Sequence, residues 1–110
     1  MTYYLSLIPS SRAVGCGEPL NVLLLARSTG EDCEHEFRFW ARGESDPSAG
    51  WRLVHSESKP LRADHNEHLY FQIPGAAFAG EEVTIAAGDT PPVRDNKLCC
   101  LISVVRGEIA

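Results

Sequence analysis

The sequence predicts an all-β domain, an antiparallel sandwich of about seven strands. Three observations carry the prediction. Apolar residues recur at every second position in short runs, the period of a half-buried strand. Clusters of Gly, Pro, Ser and Asp punctuate those runs at intervals of roughly 12 to 17 residues. No longer window carries a 3.6-residue period, because glycine or proline interrupts every candidate helix.

The elements follow in order. Tyr3, Leu5 and Leu7 alternate with Tyr4, Ser6 and Ile8, and Pro9-Ser10-Ser11 ends that run. The segment 15–19, Gly-Cys-Gly-Glu-Pro, is a breaker. Leu20, Val22, Leu24 and Ala26 share one parity and Asn21, Leu23 and Leu25 the other. Both faces of that strand are apolar, so it is expected to be central and covered on both sides. Phe37, Phe39 and Ala41 alternate with Glu36, Arg38, Trp40 and Arg42, a half-buried pattern. Residues 43–50 are a loop by composition. Trp51 to His55 is a short strand. Leu69, Phe71 and Ile73 form another, with Tyr70 and Gln72 opposite. Val83, Ile85 and Ala87 form the sixth, and Leu98 to Val105 the last. Residues 76–79 have the composition of a single helical turn.

Seven short strands in one domain spanning residues 1–110 resemble the immunoglobulin-like sandwich, with a small closed barrel as the alternative. Trp40 fits the third-strand tryptophan of that superfold. Residues 20–27 hold no cysteine, and Cys99 and Cys100 fall in the last strand, so the inter-sheet disulfide is absent on this reading. The chain of 110 residues and 12.1 kDa is long enough to bury about two-thirds of its surface. It therefore needs no metal or disulfide to hold a core.

A net charge of -5 and a pI near 5.3 argue against nucleic acid and anionic membrane as partners. The longest apolar run, Val22–Ala26, is far below a membrane span, and the first fifteen residues lack a signal-peptide pattern. A cytoplasmic location with Cys16, Cys33, Cys99 and Cys100 as thiols is the expectation.

Motifs that would assign chemistry are missing. The sequence contains no GxSxG, P-loop, GxGxxG or HExxH, and no HxH pair. The expectation is a non-catalytic protein without a cofactor. Metal binding has weak candidates. His65 and His68 are three apart, a spacing that suits a helix but splits the ligands across a strand. Cys33 and His35 offer soft ligands inside an acidic segment, but a structural zinc site needs four ligands in close pairs.

Interface residues are better supported. Trp40 shares its parity with Arg38 and Arg42, and a tryptophan flanked by arginines is common at binding hot spots. The alternative places Trp40 in the core and Phe37 and Phe39 against a partner or the second layer. The first strand, with Tyr3 and Tyr4, lacks lysine and has no proline before Pro9, so it is poorly protected as an edge. More apolar side chains are present than two layers can hide, among them Leu23, Leu25, Leu101 and Val105. That excess points to docking with a protein partner or a second copy through a sheet face or edge strand. Carbohydrate or small-ligand binding is the alternative, with Trp40, Trp51, Tyr3, Tyr4 and Tyr70 as stacking surfaces.

Overall fold

The computed structural model describes residues 2–11, 13–15, 17–43, 48, 50–78, 82–91 and 100–108, with residues 14, 77–78 and 100–108 described through the backbone alone. Its strands are β1 (Thr2–Pro9), β2 (Ala13–Gly15), β3 (Pro19–Ser28), β4 (Cys33–Gly43), β5 (Arg52–Leu61), β6 (Asn66–Pro74), β7 (Glu82–Ala87) and β8 (Cys100–Glu108). One 3-10 turn, Gly75–Phe78, follows β6. Cys16, Cys99, Arg94, Lys97 and most of the 43–50 loop lie outside the described residues.

Two sheets face each other. One has three strands in the order β1-β3-β6, and the other has five in the order β2-β8-β7-β4-β5. All pairings are antiparallel except β2 with β8. The sandwich expectation holds. In the constant-type immunoglobulin order the fourth main strand would join β6; here β5 pairs with β4 instead. The strand beyond the seven expected is β2. Pro9 ends β1 and two serines follow it, and the chain crosses to the other sheet, where residues 13–15 run parallel to β8.

The core forms where the two inward parities meet. Leu20, Val22, Leu24 and Ala26 of β3 face Phe37, Phe39 and Ala41 of β4, with Leu69, Phe71 and Ile73 of β6 and Val83 and Ile85 of β7. Phe71 is the hinge of the aromatic cluster, with ring centroids 5.5 Å from Phe37 and 4.8 Å from Phe39.

Two expectations change. Strict alternation along β1 would put Tyr4 and Ile8 on one face. A bulge lies between Tyr4 and Ser6, and one extra residue reverses the parity beyond it. Tyr4 and Leu7 are therefore buried, and Tyr3, Leu5 and Ile8 are exposed. Strand β3 is central, as expected, but only its even face is covered; Leu23 and Leu25 remain half-buried on the outside. No third layer exists among the described residues to cover them.

The five-stranded sheet is wider than its partner, and β5 closes the open margin. Its inward positions carry His55, Glu57 and Lys59, paired in register with Phe39, Phe37 and His35. Lys59 Nζ lies 5.1 Å from the centre of the Phe71 ring, so its stem covers apolar surface while its charge meets the ring face. Glu57 joins His55 Nε2 at 3.1 Å and Lys59 Nζ at 3.2 Å. The His55 hydrogen bond, and behind it Lys59, hold the Glu57 carboxyl below its ordinary value of 4.5 against the opposing effect of burial. A depressed carboxyl stabilises the fold above its unfolded pKa, and that stability fades as pH falls through the folded value. Glu57→Gln should therefore flatten the acid side of a stability profile below about pH 4.5. The group is partly exposed, so the difference should stay under about 1 kcal/mol. Urea titrations of both proteins between neutral and acidic pH give the measurement; parallel acid limbs would refute it.

Candidate functional site

Three-strand register brings apolar side chains together on the outside of the smaller sheet. Ile8 pairs with Leu23, and Leu23 pairs with Tyr70, so these three form a row across β1, β3 and β6. Two residues along β3, Ser6, Leu25 and His68 form the next row. Tyr70 is 69% exposed, Ile8 51%, Leu5 47% and Tyr3 37%. Four of the five large apolar side chains exposed among the described residues thus belong to this sheet; the fifth is Leu53 on β5. A groove of about 200 Å³ runs beside the first row, walled by Ile8, Pro9, Leu23 and Tyr70.

The electrostatics of this face are unusual for the chain. The outward positions of β3 and β6 are Pro19, Asn21, Leu23, Leu25 and Arg27, and Asn66, His68, Tyr70, Gln72 and Pro74. None is a carboxylate, although the chain holds 15 acidic residues. Arg27 donates to Asn66 Oδ1 at 3.1 Å and stands 3.9 Å from Asp64 at the rim. An apolar centre with a polar margin is the anatomy of a protein interface.

The expected tryptophan–arginine group lies on the opposite side of the molecule, on the outer face of the five-stranded sheet. Phe37, Phe39 and Ala41 take the core, so Trp40 is not the core tryptophan of the immunoglobulin pattern. Arg38 and Arg42 do not stack on Trp40 in the way the parity suggests. Trp40 Nε1 donates to Gly88 O at 2.9 Å, and Arg38 Nη1 donates to Asp89 O at 3.0 Å. Arg38 Nε also reaches Glu36 Oε1 at 3.2 Å. The Ser56 hydroxyl, and then Arg38, lower the Glu36 carboxyl pKa. Arg42 lies over Trp51 instead, 4.7 Å from its ring centre. These side chains pin the segment after β7 and leave less free surface than the sequence implies.

Tyr4 has a different place again. Tyr4, 6% exposed, is an inter-sheet residue and cannot serve as a surface contact. Its hydroxyl donates to Asp89 Oδ1 at 2.5 Å and lies 3.0 Å from His35 Nε2. His35 Nε2 is 2.7 Å from the same Asp89 oxygen, and Thr2 Oγ1 is 3.3 Å from His35 Nδ1. One consistent proton arrangement has Nε2–H donating to Asp89 and Nδ1 accepting from Thr2. The group bolts β1 of one sheet to β4 and the 88–89 segment of the other. A carboxylate that orients an imidazole can poise it for proton transfer. The hydrogen bonds join the two sheets, and this geometry accounts for a structural role.

The weak metal candidates are not brought together. His65 sits in the turn before β6, with Nδ1 2.7 Å from Ala63 O, while His68 projects from the outer face of β6. Cys33 is a free thiol, with Sγ 3.5 Å from Ser28 Oγ, and His35 is engaged by Asp89 and Tyr4. The acidic segment lies at the crossover from β3 to β4 and is used locally: Asp32 Oδ1 accepts from Ala63 N at 2.6 Å, and beside it Asp64 N donates to Ser28 O at 2.8 Å. Among the described residues no three metal-ligating groups cluster, and no helix is long and apolar enough to cross a membrane.

Sequence reasoning missed the Tyr4–His35–Asp89 bolt and the full extent of the apolar face. One signal was available for the bolt: His35 shares its parity with Phe37 and Phe39, so its imidazole had to find a partner inside. Asp89 lies in a turn, where spacing carries no such information.

No protein-family model and no curated protein sequence matches the chain. Solved structures do. A β-glucosidase from Erythrobacter marinus superposes with a TM-score of 0.69 at 13% identity, over 100% of this chain and 15% of that one. A β-glucosidase of intestinal bacteria involved in saponin metabolism gives 0.67 at 13% identity, over 96% and 16%. The Listeria innocua β-glucosidase gives 0.62 at 13% identity, over 100% and 16%. The chain therefore spans about one-sixth of the length of these proteins. At such identity the likeness shows a shared sandwich fold and nothing more.

Proposed function

We propose that the chain is a non-catalytic docking module that works through the outer face of its three-stranded sheet. The observation that carries this reading is the carboxylate-free apolar surface of Ile8, Leu23, Leu25 and Tyr70 on a chain of net charge -5. Left in water, such a surface forfeits roughly 25 cal/mol for each Å² that a partner could cover. The occurrence of a like sandwich as a minor part of much longer proteins supports a role in assembly.

Tyrosine footprinting tests the proposal directly. In the purified chain at about 1 µM, Tyr70 should react at the rate of an exposed phenol. In a concentrated extract of the cells that make the protein, Tyr70 should be protected several-fold, with Tyr4 slow in both. Equal Tyr70 reactivity in the two samples would remove the reading.

A further inference from the structure

We infer that the partner on this face is a second copy of the chain, packed sheet to sheet about a two-fold axis that crosses the strands at the level of Leu24. This rests on the docking reading above and adds the occupant and the register.

The chemistry of the face is self-complementary. A two-fold interface sets each residue against another of the same patch, so a patch rich in one charge would oppose itself. Here the outward residues of β3 and β6 include no carboxylate. Beside Arg27 and His68, their polar residues are carboxamides, Asn21, Asn66 and Gln72, each both donor and acceptor. An axis at Leu24 relates outward positions of β3 whose numbers sum to 48, and outward positions of β6 whose numbers sum to 138, because Leu24 pairs with Leu69. Leu23 of one copy then meets Leu25 of the other, and Arg27 meets Asn21. On β6, Asn66 meets Gln72 and His68 meets Tyr70. On β1, Ile8 meets Ser6, since these stand in the Leu23 and Leu25 rows. Arginine thus faces an amide at both ends, and no like charges are juxtaposed. Packing of two sheets with aligned strands is an ordinary arrangement.

The size of the face sets the strength. Three strands about 4.8 Å apart and about 30 Å long offer roughly 450 Å² in plan. That is a small face beside the approximately 800 Å² per partner of a standard interface, so the dimer should be weak and transient. The charge of -5 on each copy adds a repulsion that salt screens. Association should therefore strengthen between about 0.02 and 0.5 M salt.

Sedimentation velocity over about 5–500 µM is the test, with circular dichroism to show that each variant is folded. The wild type should pass from monomer to dimer. Asn21→Arg opposes two arginines at each end and should weaken association at least tenfold. Adding Arg27→Glu turns that repulsion into attraction and should restore the dimer. Leu23→Glu should leave a monomer. A wild type that stays monomeric throughout overturns the inference, and so does a dimer indifferent to both Leu23→Glu and Asn21→Arg. Failure of Arg27→Glu to rescue a folded Asn21→Arg protein overturns the register. If Tyr70 is protected in extract while the pure protein stays monomeric, the docking reading stands and only the second copy is eliminated as its partner.

Discussion

Phe71→Ala should destabilise the domain by about 3–5 kcal/mol, the largest loss expected from any single substitution in the core. Phe71 is 2% exposed and touches both buried phenylalanines of β4, so it is the contact through which the two sheets share one aromatic cluster. Alanine removes the ring and leaves a cavity. The strand backbones around it are held by ladders on both sheets and cannot collapse inward. It also strips the ring face from beneath Lys59, whose charge would then border an apolar hole. A domain of this size has a stability of roughly 5–15 kcal/mol, so the variant should be close to unfolding at physiological temperature. Phe71→Leu, which keeps most of the volume, should recover more than half of the loss. Urea unfolding followed by far-UV circular dichroism measures both. A loss below about 1.5 kcal/mol for the alanine variant would mean that Phe71 does not join the sheets as described.

Breaking the Tyr4–His35–Asp89 bolt should cost the next largest amount, about 1–3 kcal/mol for Tyr4→Phe or Asp89→Asn alone. The hydroxyl and the imidazole converge on one carboxylate oxygen. Tyr4→Phe leaves the ring packed edge-on against Phe37, with centroids 5.9 Å apart, so the change isolates the hydrogen bond. Asp89→Asn keeps the shape and removes the charge that both donors share. Because the two act through one atom, their effects should not add. A double-mutant cycle should show a coupling of about 1 kcal/mol or more. Additivity within about 0.3 kcal/mol would show that the three side chains do not act as a unit.

Much of the architecture was legible because the core obeys a simple rule. Along β4 and β6 the more apolar parity is the buried one, and in β3, where both parities are apolar, the uninterrupted Leu20–Val22–Leu24–Ala26 set is the buried one. Strands β3 and β6 pair without a register shift through Leu20–Arg27 and Asn66–Ile73, so alternation read from the sequence is alternation in space. It fails in β1, where a single extra residue between Tyr4 and Ser6 sends Tyr4 inward and Ile8 outward. No residue type demands a bulge there, so composition could not reveal it. The surplus of apolar side chains was visible in Leu23 and Leu25. Their neighbours on the face, Ile8 and Tyr70, come from strands 15 and 47 residues away along the chain (8 to 23 and 23 to 70), and only the pairing unites them. Trp40 illustrates the opposite limit. Its parity with Arg38 and Arg42 was read correctly, but its hydrogen bond to Gly88 depends on which strand lies beside β4.

The margins of the two sheets bear on how far any assembly can grow. The bulge in β1 twists that outer strand, and β5 carries Lys59 and Pro60 near its end. Lys59 also sets a cation near the flank of β6, and β2 offers only three residues. Each of these is a known obstacle to endless backbone-to-backbone accretion. Contact through a flat side, by contrast, is used up once it is occupied. Crowding this protein should thus yield small discrete particles in preference to fibrils.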